Sequence, residues 1–130
     1  MACAYEVLKF LVANDLPGRA AALEPVMVEE MENLVASHPS VRQARCVGLM
    51  GCLDLVDPMS GRFVQTLQQH QPPKVAAFKR AMLDNGLFGL FRPPLLHCAP
   101  PLTITEEQLR DGFKRLDRAL NTLDDGWRGD

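Results

Sequence analysis

The side chains whose chemistry depends most on spacing are the thiols and imidazoles. Four cysteines, Cys3, Cys46, Cys52 and Cys98, stand far apart in the 130-residue chain, with no C-x-x-C pair among them. The three histidines, His38, His70 and His97, do not supply the close ligand spacing that a structural zinc site uses. Three of the thiols lie in apolar surroundings. They read as reduced, buried small hydrophobes of an intracellular protein, cytoplasmic or mitochondrial, with no metal and no disulfide framework.

A chain of this length makes one domain, residues 1–130, with enough burial for a real core. Apolar residues make up 47% and charged residues 23%, ordinary for a globular domain, and the formal net charge is −2 with no run of one sign. Nucleic acid is therefore not the expected partner. Met1–Ala13 is mostly apolar but lacks a basic leader, is interrupted by Glu6 and Lys9, and has no cleavage site of small residues after it. No stretch reaches the ~20 apolar residues of a membrane span, so no membrane partner is expected.

The elements that would position any site follow from periodicity. Tyr5, Leu8, Leu11 and Val12 recur at helical spacing over residues 2–13. Asn14-Asp15, with Pro17 close behind, marks a stop and a new start. The second helix puts Leu23, Met27, Met31, Leu34 and Val35 on one face and Glu24, Glu29, Glu30 and Glu32 on the other, with Pro25 predicting a kink. It ends at Ser37-His38-Pro39-Ser40. Val41–Val56 reads as two strand segments, or as one strand bent by a bulge at Gly48 and Gly51. Asp57–Gly61 is a turn, and residues 62–71 are polar with no clear element. Pro72-Pro73 opens a third helix with Val75, Phe78, Met82 and Leu83 as its apolar stripe, stopped at Asn85-Gly86. Leu87–Phe91 and Leu95–Cys98 read as short strands around Arg92-Pro93-Pro94. The last helix has Thr105 as cap, Gln108 completing a capping box, and an Ile104–Leu109 staple. Glu106 and Glu107 lie in its first turn, and Leu109, Phe113, Leu116, Leu120 and Leu123 form the stripe to be buried. These elements predict an α+β fold: a small, mostly antiparallel sheet with helices on one face, a two-layer sandwich.

Three segments, in order, resemble the class III pyridoxal-phosphate-dependent aminotransferases. Met1-Ala2-Cys3-Ala4 is similar to the M-A-C-A-A-A stretch that opens the family's helix from the large domain into the small one, so residues 1–14 match that lead-in helix. His38–Met50 resembles H-P-x-V-x-x-V-R-G-x-G-L-M. Asn85-Gly86-Leu87, Arg92 and Ala99–Leu109 resemble x-x-G-L, R and x-P-P-L-x-I-T-E-E-x-L. The resemblance implies the small C-terminal domain of a fold type I enzyme. Such an enzyme moves an amino group between an amino acid or ω-amine and a keto acid such as pyruvate, with pyridoxal 5'-phosphate as cofactor. The family's aldimine lysine, pyridine acid and phosphate cradle lie upstream of the matched segment. Lys9, Lys74, Lys79 and Lys114 match no such motif and read as surface lysines. By this resemblance the chain binds no cofactor alone, is inactive alone, and partners a large cofactor domain or a dimer mate. A non-catalytic interaction protein that keeps the small-domain fold is the alternative.

The resemblance singles out Arg92 as the arginine that grips the substrate carboxylate, and its planar fork of donors suits that task. Arg92 stands seven residues before Ala99, as in the branch acting on taurine or other ω-amino acids, with Pro93-Pro94 where that branch has Trp-Asn. His97 is the second candidate, ranked below Arg92, since an ornithine-like branch carries an arginine there; otherwise it reads as a buried strand histidine. Arg45 matches a family arginine with a structural role. Cys46 replaces a usual glycine, so strain is expected there if the backbone needs positive φ. Without a large domain, the first helix and the 41–56 strands are expected to expose apolar surface and drive self-association.

Overall fold

Asp15 is where the chain first turns back on itself. In the computed structural model, which describes residues 2–63 and 73–126, helix α1 (Ala2–Ala13) ends just before it and α2 (Leu16–Ser37) begins just after. Asp15 takes a left-handed conformation (φ 43°, ψ 49°), and its carboxylate accepts from the Gly18 N–H at 3.2 Å. Gly18 answers to that cap: a Cβ there would stand 2.2 Å from Asp15 Oδ2. Helix α2 then runs continuously through Pro25 and buries Met27, Met31 and Leu34. Three of the acids on its polar face are engaged. Glu24 accepts the Gly48 N–H at 2.8 Å, and Glu29 and Glu30 accept from Arg110 at 3.0 and 2.6 Å.

Residues 41–55 form a hairpin, β1 (Val41–Val47) and β2 (Met50–Leu55). Gly48 opens its two-residue turn at φ 57°, a conformation that costs glycine nothing. The irregularity of register lies between Val41 and Gln43, not at the glycines, so a single strand bulged at Gly48 and Gly51 is not what forms. Gly51 serves packing: an added Cβ would stand 2.6 Å from Met27 Cε and 2.7 Å from Met31 Sδ, so the α2 methionines rest on bare β2 backbone. Strands β3 (Leu90–Arg92) and β4 (Leu95–Cys98) complete the sheet in the order β1-β2-β4-β3, with every pair antiparallel. The apolar run at 87–89 lies outside β3, and Arg92 is the last residue of the strand rather than part of the turn. The turn itself is Pro93-Pro94, joined by a cis peptide bond.

Helix α3 (Pro73–Asp84) buries Val75, Phe78 and Met82, while Leu83, expected in the same stripe, is exposed. Pro72, read as the start of this helix, and most of the 62–71 stretch lie outside the described residues. The helix closes with Gly86 at φ 73°, the Gly86 and Leu87 N–H groups donating to the Leu83 and Met82 carbonyls. Helix α4 (Glu106–Asp124) carries the complete capping box between Thr105 and Gln108 and buries Leu109, Phe113, Leu116, Ala119, Leu120 and Leu123. Phe78 meets Phe91 edge-on at 5.2 Å, which sets α3 against β3. Thus α2, α3 and α4 share one core with one face of the sheet: an α+β two-layer sandwich.

Helix α1 is different. It touches α2, yet Tyr5, Val7, Leu8, Phe10 and Val12 are all more than half exposed. Val47 and Met50, at the hairpin tip, are exposed as well, so the apolar surface expected of the first helix and the 41–56 strands is present.

Candidate functional site

Strand alternation assigns each side chain to one sheet face. Leu53, Leu55, Leu96 and Phe91 turn toward the helices and are buried. The partners in register with them leave Gln43 and Arg45 (β1), Cys52 and Asp54 (β2), Leu95 and His97 (β4), and Leu90 and Arg92 (β3) on the opposite face. No described helix covers that face. Two of its cations differ in their surroundings. Arg45 reaches diagonally to the Asp54 carboxylate, which is nearly buried, and the two form a close ion pair. Arg92 is exposed and has no hydrogen-bond or ion-pair partner among the described residues. Leu95 stands directly across from Arg92, and Leu90 stands two residues before it on the same face.

His97 shares this face with Arg92, one residue pair along the β3–β4 ladder. It is half-buried, which corrects the reading of His97 as a buried strand histidine. Arg45 has the structural pairing expected of it. Cys46 is not at positive φ; the only described non-glycine residue there is Asp15. Its thiol lies 3.1 Å from the Gly48 carbonyl.

The cysteines are all free, but Cys3 is exposed and the other three are half-buried, so the expectation of fully buried thiols is corrected. Burial, reinforced by the neighbouring Cys52 and Cys46, pushes the Cys98 thiol up to about 12. Burial and then the Glu24 carboxylate raise the Cys46 thiol as well. Both are therefore poor nucleophiles. Arg110 is raised by its hydrogen bonds to Glu106, Glu30 and Glu29, which fasten the start of α4 to α2.

One polar cluster escapes sequence reasoning. The buried His38 ring, just past the end of α2, sets Nδ1 2.6 Å from Asp124 Oδ2 and Nε2 3.0 Å from Asp117 Oδ1. Ser40 Oγ donates to the other Asp124 oxygen at 2.6 Å. Both ring nitrogens of His38 thus lie within hydrogen-bond distance of a carboxylate. Asp117 and Asp124 lie two turns apart on one face of α4, the sole trace of the cluster in the sequence. It ties the α2–β1 junction to α4 and lies off the open sheet face.

The four lysines differ in their surroundings. Lys9 pairs with Glu6 on exposed α1, Lys74 reaches the Thr122 carbonyl at 3.4 Å, Lys79 lies 6.0 Å over the Phe91 ring, and Lys114 is exposed. No described helix is long and apolar enough to cross a membrane.

A four-stranded antiparallel sheet backed by helices has counterparts among solved transaminases. An S-selective transaminase from Arthrobacter sp. superposes with a TM-score of 0.82 at 17% identity, over 92% of this chain and 28% of its own. A taurine:2-oxoglutarate aminotransferase from Bifidobacterium kashiwanohense, solved with PLP and glutamate, gives 0.80 at 24% identity, over 92% and 27%. The fold is thus that of a transaminase lobe. The family model for class-III aminotransferases matches residues 1–120, and this chain belongs to that family. A diaminobutyrate–2-oxoglutarate transaminase of Halomonas elongata is 32% identical over 121 residues, 91% of this chain and 25% of its own length. The chain spans about a quarter of the curated relatives it matches.

Proposed function

We propose that this chain supplies the small C-terminal lobe of a pyridoxal-phosphate-dependent aminotransferase. In it Arg92 holds the carboxylate of an amino or keto acid while amino transfer proceeds on a cofactor bound elsewhere. The observation that carries the reading is the contrast between the two arginines on the open face. Arg45 is neutralised by Asp54, whereas Arg92 has its whole fork of donors available. The family supports the reaction class, and the lysine environments support a cofactor lysine contributed by a separate lobe. Such a lobe covers the open face, so the partner is a large cofactor-binding domain or a dimer mate. Alone, the chain is inactive.

The test is a graft. Residues 1–130 replace the matching last quarter of the Halomonas transaminase, and the hybrid is assayed with acidic and carboxylate-free amino donors. Charge-assisted hydrogen bonds contribute about 1.5–3 kcal/mol, so Arg92→Ala is expected to lower kcat/KM for the acid by roughly 10- to 150-fold. The carboxylate-free amine should be unaffected. Equal losses on both donors, or none on either, reject the role of Arg92.

A further inference from the structure

Between α4, the end of α3 and the segment 96–101, a cavity of about 260 Å³ opens to the surface. Met82, Leu96, Ile104, Leu109, Phe113 and Leu116 make its walls. The polar contribution is small. Cys98 offers a thiol that burial keeps neutral, and the Gln108 side chain is engaged in the capping box, its Oε1 accepting the Thr105 N–H at 3.1 Å.

The space exists because a side chain is missing. Gly112 lies inside α4, where glycine is a poorer helix former than alanine. It is not at positive φ, and an added Cβ would meet no atom within 4 Å. Neither backbone conformation nor packing calls for glycine there; its effect is room. On the facing wall, a Cβ on Gly89 would stop 3.9 Å from Leu96 Cδ1, at ordinary contact. Phe88, 97% exposed, stands at the rim of the cavity.

We propose that this cavity is a binding site for a small uncharged molecule with an aromatic or branched hydrocarbon body, admitted by the glycine at position 112. Apolar cavities of roughly 150 Å³ stay dry and take up benzene, so this one has room for two fused rings. The site is separate from Arg92 and does not depend on the aminotransferase reading.

Indole is the probe, titrated into the full chain carrying 13C-methyl-labelled methionine. Met82 lines the cavity, while exposed Met50 and Met59 report non-specific binding. The expected result is a saturable shift of the Met82 methyl with both references unmoved, and at least a tenfold weaker affinity in Gly112→Leu. Should Gly112→Leu fail to fold, Gly89→Leu, in the exposed loop, fills the space from the other side and gives the same reading. A Met82 signal that moves only with Met50 and Met59, or undiminished binding in the folded glycine variants, overturns the site.

Discussion

Arg92 and Arg45 differ by one neighbour, and that neighbour decides what each can do. Because the Arg92 guanidinium has no hydrogen-bond or ion-pair partner among the described residues, Arg92→Ala should leave the free energy of urea unfolding of the isolated chain within about 0.5 kcal/mol of wild type. His38 is the opposite case. His38→Ala strands the carboxylate of Asp124 beside Ser40 and should cost about 2–3 kcal/mol. That is below the ~3–5 kcal/mol of a fully buried pair because Asp117 is half exposed. The cysteines order themselves by exposure: a thiol reagent should modify Cys3 first and Cys98 last. Cys98 ionises less readily folded than unfolded. Its stabilising effect is therefore whole below pH about 9 and is lost as pH climbs toward 12. Denaturation at pH about 8 and about 11 should show a loss that Cys98→Ala lacks. Of these residues, Arg92 and Arg45 stand out in the sequence only through resemblance. The histidine cluster joins positions 79 and 86 apart, beyond the reach of any local pattern.

Elements were more legible where a local chemical device sets them. The α4 start was readable because Thr105, Gln108 and the acidic first turn are neighbours in the chain, and Thr105→Ala should cost about 1 kcal/mol in thermal or urea unfolding. The β1–β2 hairpin was readable from its glycines, though for two different reasons. Gly48 is needed for φ, whereas Gly51 is needed for contact with the α2 methionines, a fact no strand pattern carries. Gly51→Ala should overpack that contact and cost about 1–3 kcal/mol with no change in secondary structure by circular dichroism. The start of β3 was misread because Leu87–Gly89 is apolar, as a strand would be. Those residues instead line the cavity beside α4. Leu83 was misread for a related reason: helical spacing marks a stripe but not its width, and α3 buries only the part of the stripe that faces β3 and α4.

The molecule as a whole is one-sided. Three helices cover one face of the sheet, and α1 leaves five large apolar side chains more than half exposed. Self-association of the isolated chain is the expected result. Leu8→Glu and Val12→Glu together should shift light scattering toward monomer without lowering the unfolding midpoint, since neither side chain is in the core. Mixed with pyridoxal phosphate, the isolated chain should give no stoichiometric, substrate-responsive chromophore, because the proposed function puts the cofactor lysine in a separate lobe. The strand order has a further consequence. β4 inserts between β2 and β3, and some 40 residues separate Leu55 from Leu95. At about 5–20 residues per second on the ribosome, the hairpin waits several seconds with the β2 flank unzipped before its mate is synthesised. A nascent chain of this kind offers chaperones and stray strands the same sticky margin, so the yield of folded protein should rise when translation through residues 56–94 is hastened rather than slowed.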